Sequence, residues 1–418
     1  MLERLQRLYP ALIDLSLGRL EVLLGRLDHP ERRLPPLIHV AGTNGKGSTC
    51  ASLRAIAEAS GWVVHVGTSP HLVDITERFR VAGRLVSDLT LTDTLEEIER
   101  ADAGDPITVF EVLTAAAFLL FSRHPADLAV IEVGLGGRFD ATNVVPPPAA
   151  CVITAISMDH EAFLGDRIEG IAAEKAGIIK PGSPVVTGHQ SEPVLAVIAD
   201  EAARVGAPLL VRDRDWSVQR SASGLRYADA GGELDLPLPA LLGAHQVENA
   251  GLAVAALRAS GLVVPARGWS GLASTNWPAR LQRLTGRLAV VLPGGWELWL
   301  DGGHNPGAAA VLSEVLAGWT DRPVHLVIGM KQSKDAAGFL RPLLDHADTV
   351  HAVAEPGQHL ALPVEAIVAA SEGRALPGPT VAEALSSITA HWPAGRILIC
   401  GSLYLAGEVL KMDGWQPS

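Results

Sequence analysis

A glycine-rich stretch near the start of the chain carries the residue types that bind phosphate. Residues 40–49 read Val-Ala-Gly-Thr-Asn-Gly-Lys-Gly-Ser-Thr. Glycines let backbone N–H groups converge on an anion, a following helix N-terminus adds partial positive charge, and Lys46 adds a full charge. The hydroxyl of Ser48 or of the next residue can bind Mg²⁺. The usual phosphate-loop pattern is broken, because Val40 replaces its first glycine and Gly47 separates Lys46 from Ser48, so a glycine turn with a surface lysine is the alternative.

Three further polar side chains lie where predicted strands end. Ser69, Glu132 and His160 each stand at or just past the end of a different apolar run. In parallel sheets ligands bind beyond the carboxyl ends of the strands. Taken singly, Glu132 is explained by a buried salt bridge to Arg138 and His160 by an ordinary surface position. Beside a phosphate loop, hard oxygens and one imidazole instead favour Mg²⁺ ligation.

The elements that must position these groups follow from the apolar pattern. A run at residues 37–40 predicts a buried strand, and residues 50–59 predict a helix that Gly61 ends. Leucines at helical spacing over residues 1–27 predict two amphipathic helices before that strand. Further predicted elements are strands at 63–66, 128–133, 151–156 and 185–187, and a helix from 108 through 121. This alternation predicts a mostly parallel α/β sheet that is covered on both faces.

The pattern changes in the second half of the chain. Residues 207–238 predict short antiparallel strands, and residues 244–257 predict a helix. A stretch rich in Gly, Ser, Asn and Trp at 269–278 predicts the end of a first domain. A second α/β set follows, with strands at 298–300, 324–328, 350–353 and 397–400. We therefore predict two domains: a phosphate-loop ATPase-type domain at 1–278, whose mostly parallel sheet is joined by the small antiparallel strands, and a Rossmann-like α/β domain at 279–418.

Composition and charge restrict the function classes. At 418 residues the chain exceeds one ordinary core, and 48% hydrophobic with 19% charged residues is typical of a globular protein. A formal net charge of -12 argues against nucleic acid as a partner. Cys50, Cys151 and Cys400 are far apart, which favours neither disulfides nor zinc. Without an apolar run of spanning length or a signal peptide, we expect a cytoplasmic monomer that binds no membrane.

Several motifs, taken in order, resemble those of folylpolyglutamate synthases, of the kind that in many bacteria double as dihydrofolate synthases, within the Mur ligase family. The family's altered phosphate loop accounts for the broken pattern noted above. Two stretches depart from its usual motifs, because Gly302-Gly303 replaces a common Val-Ala and Ala279 replaces a usual glycine. The matching segments are 39–48, 69–72, 76–78, 132–138, 140–143, 159–160, 174–177 and 301–306.

The resemblance implies ATP-driven amide formation. The carboxylate of a folate takes the γ-phosphoryl group of ATP to give an acyl phosphate, and the amine of L-glutamate attacks it, releasing ADP and phosphate. The resemblance also implies two Mg²⁺ ions, one held by Ser69 and Glu132 with the hydroxyl of Ser48 nearby, and one by His160. It implies catalytic roles for Lys46, His160 and Lys175.

The resemblance also assigns the binding residues. Helix caps are the alternative roles for Thr108 and Asp140, and an interdomain salt bridge is the alternative for Arg280. The implied ATP contacts are Thr43, Asn44, Gly45, Lys46, Gly47, Ser48, Asn249, Arg280, Asp301 and His304. The implied contacts of the pterin-bearing substrate are Ile13, Asp14, Leu15, Thr108, Val109, Phe110, Glu111, Phe139, Asp140 and Ala141.

Lys175 lies near the end of a predicted helix, in the sequence Glu-Lys-Ala-Gly at 174–177. From the residues alone it is a C-terminal lysine favoured by the helix dipole. The resemblance implies instead that CO₂ carbamylates it, as in many relatives, and that the carbamate supports the second Mg²⁺ near His160. An ammonium there would repel the metal, whereas a carbamate oxygen would bind or orient it. Because carbamylation needs a neutral amine, we expect the pocket to lower the pKa of Lys175.

Two other functions compete with this interpretation. A cell-wall Mur ligase would carry a sizeable N-terminal domain for its uridine nucleotide, and only about forty residues precede Gly42 here, fewer than a typical domain has. A nucleotide switch that binds a partner would not need a second α/β domain with its own acid and imidazole. The sequence leaves open whether the acceptor is dihydropteroate, a tetrahydrofolate or both.

Overall fold

The structure, a computed structural model, describes residues 15–418. Ile13, Asp14 and the first of the two predicted leucine-rich helices lie outside the described residues. An eight-stranded sheet has the order β4-β3-β2-β5-β1-β6-β7-β8. All its neighbouring strands are parallel except the β2–β3 and β3–β4 pairs. The strands are β1 Leu37–Ala41, β2 Val64–Gly67, β3 Phe79–Val81, β4 Arg84–Leu85, β5 Leu128–Glu132, β6 Ala150–Ile153, β7 Val185–Thr187 and β8 Leu209–Val211.

Helices cover both faces of this sheet, which is why its central strands are apolar throughout. Ile38 and Val40 of β1 face one core, while Leu37 and Ala41 face the cores on the opposite side. The α-helices of this part are α1 Gly18–Arg26, α2 Lys46–Ala59, α3 Asp88–Asp102, α4 Val109–Arg123, α5 Glu161–Leu164, α6 Ile168–Ala176, α7 Glu192–Val205 and α8 Ala244–Ala259. Short 3-10 helices span Pro30–Arg33, Ile75–Arg78, Ala141–Val144 and Ala266–Ser274.

A three-stranded antiparallel sheet packs on α8, with strands β9 Trp216–Arg220, β10 Leu225–Asp229 and β11 Gly232–Leu236. Gly251 makes this contact possible. A Cβ there would lie 2.5 Å from Val218 Cγ1 and 2.8 Å from Trp216 Cζ3. The residue without a side chain thus lets the helix backbone approach the small sheet closely.

A second large sheet follows, with six strands in the order β12-β13-β17-β14-β15-β16. Only β12, which pairs with β13, runs antiparallel to its neighbour. The strands are β12 Gln282–Leu284, β13 Trp296–Leu300, β14 Val324–Ile328, β15 Thr349–Ala352, β16 Ala375–Pro377 and β17 Gly395–Cys400. The helices are α9 Arg287–Val290, α10 Pro306–Ala317, α11 Ala336–Leu344, α12 Val364–Ala370, α13 Val381–His391 and α14 Leu403–Asp413.

The predicted α/β class and the antiparallel strands are confirmed, while several details differ. The helix expected from residue 50 begins four residues earlier, so Lys46 stands in its first turn. The strand expected at 151–156 ends at Ile153. The structure adds four short strands that lack a sequence signal: β3, β4, β12 and β16. Strand β8 lies in the segment predicted to be antiparallel, but it runs parallel to β7 in the first sheet. Among the described residues, no helix is long and apolar enough to cross a membrane. The division after residue 278 stays a prediction.

Candidate active site

A cavity of about 500 Å³ lies where the carboxyl edges of the two large sheets face each other. The N-terminal part contributes the phosphate loop and the ends of β2 and β5. The C-terminal part contributes Asp301 to His304, Lys331, Lys334 and the segment from Gly401 to Tyr404. The ends of parallel strands from both sheets therefore line one cavity, which is the expected ligand position for this fold.

Glycines shape the phosphate loop at close contacts. Gly42 has a φ of +143°, and a Cβ there would lie 1.9 Å from Thr154 Oγ1. At Gly47 a Cβ would lie 2.5 Å from Trp277 Nε1. Two hydrogen bonds anchor the loop to the segment that follows β6. The N–H groups of Thr43 and Asn44 both donate to Ala155 O, at 2.9 and 3.1 Å.

Helix α2 begins directly after the loop, at Lys46. Its N-cap residue is Gly45, and no described side chain caps the helix. The first-turn N–H groups are therefore available to an anion, and the helix dipole adds to their attraction. The Oδ1 atom of Asn249, on α8, lies against Gly45, where a Cβ would be 2.4 Å from it.

Two lysines converge on one carbonyl group of this loop. Lys46 Nζ donates to Gly42 O at 3.1 Å and to Thr43 O at 3.2 Å. Lys175 Nζ donates to the same Gly42 O at 3.0 Å. Lys46 is half-buried, which differs from the fully exposed lysine of a surface turn. Lys175 is buried, and burial together with the nearby Lys46 charge lowers the pKa of Lys175 to about 7.

Glu132 ends β5 as a buried carboxylate in the cavity wall. Its Oε2 accepts the Ser69 N–H at 3.2 Å. Burial raises the pKa of Glu132, and the charge of Lys46 opposes this effect. The alternative salt bridge to Arg138 is wrong, because Arg138 pairs with Glu201 at 3.2 Å. An acceptor oxygen placed beside a serine at a phosphate loop fits a hard cation.

The described residues contain no group of three or more His, Cys, Asp or Glu side chains that could hold a metal. The single buried Glu132 carboxylate, with serine hydroxyls nearby in the sequence motifs, suits Mg²⁺, which takes one or two carboxylates and completes its shell with phosphate oxygens and water. His160 follows the first sheet on the same edge. Its backbone has a φ of +56°, and its ring lies half-exposed with Nε2 3.9 Å from Asp159 Oδ2. Partial desolvation at the cavity edge and the charge of Lys334 lower the pKa of His160.

The C-terminal wall is held by short backbone contacts. Asp301 accepts the N–H groups of Leu281 and Gly303, each at 2.7 Å. His304 Nδ1 donates to Gly302 O at 2.8 Å, which leaves Nε2 directed toward Asp159 Oδ2 at 3.6 Å. A Cβ at Gly302 would lie 2.4 Å from Leu403 Cδ2, so the valine that the family resemblance led us to expect there would require Leu403 to move.

Arg280 lines the same wall and donates to Ala279 O at 2.8 Å. Among the described residues, Arg280 forms no salt bridge with an acidic side chain. The alternative role as an interdomain salt bridge is therefore not supported. Ala279 has a φ of +53°, a left-handed conformation that glycine adopts freely. The glycine that the family resemblance led us to expect there would adopt this conformation without strain, whereas alanine costs about 1 kcal/mol.

Family models and known proteins match this chain over most of its length. The family model of the Mur ligase middle domain matches residues 40–257, and that of the dihydrofolate synthetase C-terminal domain matches residues 293–412. The chain is 36% identical to the dihydrofolate synthase/folylpolyglutamate synthase of Escherichia coli, covering 98% of this chain and 94% of that protein. It is 35% identical to the folylpolyglutamate synthase of Lacticaseibacillus casei, covering 94% and 92%. The chain belongs to the folylpolyglutamate synthase/dihydrofolate synthase family.

Solved structures of this family superpose closely. Escherichia coli FolC in complex with DHPP and ADP has a TM-score of 0.89 and 35% identity, covering 98% of this chain and 96% of that chain. The Yersinia pestis enzyme complexed with AMPPNP and a Mn ion has a TM-score of 0.87 and 33% identity, covering 98% and 96%. The chain is an ATP-dependent glutamate ligase of the Mur ligase family. The predicted function is thus confirmed over a cell-wall ligase or a nucleotide switch.

One wall of this ligase's cavity carries the residues predicted for the acceptor. Thr108 and Asp140 are helix caps, as the alternative held, and both still line the cavity. Val109 does not line the cavity, because its side chain packs against the core beneath α4. Phe139 is 45% exposed, which leaves an aromatic surface for a planar ring. The predicted residues on this wall are Leu15, Thr108, Phe110, Glu111, Phe139, Asp140 and Ala141.

Several residues on or near the cavity were not predicted as site residues, and Asp159, Asn305 and Lys334 are the ones that bond across it. Asp159 and Asn305 stand inside quoted motifs, so the motif itself was a usable signal. Lys334 lies in a loop after β14 that no pattern distinguishes. Burial would raise the pKa of Asp159, but the His304 imidazole and the Lys334 ammonium outweigh it and hold that pKa well below its usual range.

Replacing Lys46 with alanine is expected to lower kcat by about 10²–10³-fold, because a positive charge directed at the transferred phosphoryl group is lost. The melting temperature should change little, since Gly42 O keeps Lys175 as a donor. Initial rates of ADP release and thermal unfolding measure the two effects. Lys411→Ala removes a lysine that pairs with Glu408 on the outer helix α14 and serves as the control. A wild-type rate in Lys46→Ala would make Lys46 an ordinary loop residue.

Proposed function

We propose that this ligase transfers the γ-phosphoryl group of ATP to the terminal carboxylate of a folate or of dihydropteroate, and that L-glutamate then displaces phosphate from the acyl phosphate. One observation carries the proposal. The phosphate loop, the Glu132 carboxylate and an aromatic-edged wall share one cavity with Arg280 and His304 of the C-terminal part. Such a cavity can hold nucleotide and acceptor side by side.

The loop residues have separate roles in this reaction. The N–H groups of residues 45–48 and the Lys46 ammonium hold the β- and γ-phosphates and stabilise the charge that builds up during in-line transfer. Asn249 orients the nucleotide beside Gly45, while Arg280, Asp301 and His304 contact it from the other sheet. ATP is therefore enclosed by both parts of the chain, and we propose that these are domains divided after residue 278.

The metal donors fit two Mg²⁺ ions. Ser69 and Glu132, with Ser48 at the loop, would hold one, and His160 would hold the other. Bound Mg²⁺ would offset the negative charge of the phosphates and of the acceptor carboxylate. The buried Glu132, whose Oε2 accepts only one N–H among the described residues, supports this assignment.

The acceptor wall would take the pterin-bearing end of the folate. Phe139 offers a ring face, and Phe110 is held against Gly134, where a Cβ would lie 2.3 Å from the ring. Thr108, Glu111 and Asp140 add polar groups along this wall, and Ile13 and Asp14 stay predicted contacts.

We propose further that the enzyme works as a cytoplasmic monomer on small molecules and not on nucleic acid. The three cysteines are free and buried, as expected in a reducing compartment.

ADP release with each acceptor tests this function. We expect turnover only when ATP, L-glutamate and either a tetrahydrofolate or dihydropteroate are all present, because the acyl phosphate forms on the acceptor and is consumed by glutamate. Omitting each substrate in turn, and repeating the assay with Lys46→Ala, provides the controls. ADP release that ignores both acceptor and glutamate would contradict the proposal, and the acceptor that supports turnover decides between the two activities.

Lys175 is the proposed modification site. Its amine nitrogen would attack CO₂ and lose a proton, giving a carbamate that supports the second Mg²⁺ near His160. A pKa of about 7 leaves a large neutral fraction of the amine at neutral pH. The groups that set this pKa, after burial, are Lys46, Asp159, Asp140 and Glu174.

We expect carbamylation of Lys175 to increase as pH rises through about 7, because only the deprotonated amine reacts. Labelled bicarbonate, followed by NMR of the carbamate carbon, measures it. Lys175→Ala should lose both label and activity, with partial recovery of activity by small carboxylates. Lys180→Ala is the matched control, since Lys180 donates to Asn143 O at 2.7 Å and should leave the label in place. A fully active enzyme with no label at Lys175 would refute the proposed carbamylation.

A further inference from the structure

Asp159 connects the two parts of the chain at the edge of the cavity. Its Oδ1 accepts from Lys334 Nζ at 2.5 Å, and its Oδ2 accepts from Asn305 Nδ2 at 3.0 Å. His304 Nε2 lies 3.6 Å from the same Oδ2. Asp159 follows the first sheet, whereas the other three residues belong to loops of the second. A single carboxylate therefore receives three side chains from the opposite part.

The ion pair is well shielded from water. The Asp159 side chain is 7% exposed and that of Lys334 is 10% exposed. The partners are 175 residues apart in sequence, so only the docking of the two parts brings them together. If the parts separated, both charges would return to water. Removing only one partner therefore favours separation of the parts, because separation hydrates the charge that has lost its partner.

Asn305 extends this network to the phosphate loop. Its amide and that of Asn44 bond reciprocally, with Asn305 Nδ2 to Asn44 Oδ1 at 3.0 Å and Asn44 Nδ2 to Asn305 Oδ1 at 3.1 Å. Asn305 also caps helix α10 by accepting the Ala308 N–H at 2.9 Å. Since the cap fixes Asn305, it also fixes the side chain of Asn44 beside the phosphate site.

The two parts approach too closely here for a side chain to intervene. A Cβ at Gly307 would lie 2.6 Å from Ser157 Oγ and 2.9 Å from Asn44 Nδ2. Ser157 Oγ in turn accepts from Asn44 Nδ2 at 3.2 Å. The loop that carries Asp159 and His160 is thus in direct contact with both the phosphate loop and the start of α10.

Lys334 differs from the other lysine of its loop. Lys331 Nζ lies 5.3 Å from the centre of the Tyr404 ring, a contact that does not depend on the first sheet. Lys334 precedes Asp335, which caps helix α11 by accepting the Gly338 N–H at 2.9 Å. The start of α11 therefore sets the position from which Lys334 reaches Asp159.

We propose that Lys334 and Asp159 form an interdomain ion pair that positions Asn44 and the Asp159–His160 loop for phosphoryl transfer, so that the phosphate site is complete only when the two parts are closed. Lys334 and Asp159 are positioning residues, because they act through Asn44 and His160 and not on the reacting atoms. This inference rests on the proposed function, in which those loops hold ATP and the acceptor carboxylate.

The test compares Lys334→Ala, Lys334→Arg, Asp159→Asn and the Lys334→Ala/Asp159→Asn double variant with the wild type. We expect Lys334→Ala to lower kcat by about 100-fold, since small displacements of positioned groups cost that much. The KM for the acceptor should stay within about three-fold, because the acceptor wall belongs to the first part alone. Lys334→Arg should recover part of kcat, and the double variant should be no slower than the slower single variant.

Small-angle scattering gives a readout that does not need turnover. With AMPPNP present, we expect the radius of gyration to fall for the wild type and for Lys411→Ala, but to fall less for Lys334→Ala. The melting temperature without ligand should be the same in all of them. A wild-type kcat in Lys334→Ala would overturn the inference, as would an equal loss in Lys334→Arg and Lys334→Ala together with lower melting temperatures. A wild type that releases no ADP with any acceptor would instead refute the proposed function, and the scattering comparison would still decide on the ion pair.

Discussion

The structure depends most on the concentration of positive charge at one carbonyl of the phosphate loop. Lys46 and Lys175 both donate to Gly42 O, at 3.1 and 3.0 Å. Two ammonium groups that share one acceptor repel each other, and the lowered pKa of Lys175 relieves this repulsion by favouring the neutral amine. An anion between the loop N–H groups relieves the repulsion further. The uncapped start of α2 and the close contacts at Gly42 and Gly47 also favour a bound anion, because they leave N–H groups free and shape the loop around the site.

The two large sheets contribute different groups to this cavity. The first supplies the loop, the buried Glu132 and the acceptor wall, each at the carboxyl edge where parallel strands end. The second supplies Arg280, His304 and Lys334, which meet the first sheet's groups only across the cavity. In the proposed reaction, phosphoryl transfer would need no mobile group within either sheet, because bringing the sheets together would assemble the surroundings of the phosphate.

How far the sequence predicts this arrangement depends on whether a feature is local. Strands β1 and β5 are buried at all five positions, so their apolar runs were sufficient to predict them as buried strands. Strand β4 has two residues and β12 and β16 have three, too few for any periodic pattern. Glu132 was recognisable because a carboxylate inside an apolar strand is costly unless it binds something.

The features that the sequence does not predict are tertiary. Lys175 reads as an exposed lysine near a helix end, and its burial comes from the packing of α6 against the phosphate loop. Lys334 reaches Asp159 only because the two large sheets lie on opposite sides of one cavity, an arrangement that residue spacing does not reveal. Val109 was assigned to the cavity by its motif neighbours, yet it faces the core because it stands in the first turn of α4.

Positional isotope exchange tests the central claim most directly, namely that this closed site transfers the γ-phosphoryl group of ATP to the acceptor carboxylate. ATP with a heavy-oxygen label in its β–γ bridge is incubated with a folate acceptor and without L-glutamate. If an acyl phosphate forms reversibly, the freed β-phosphate rotates and the label scrambles, so we predict scrambling that requires the acceptor and disappears in Lys46→Ala. A label that stays in the bridge, in an enzyme that makes product once L-glutamate is added, would contradict the account.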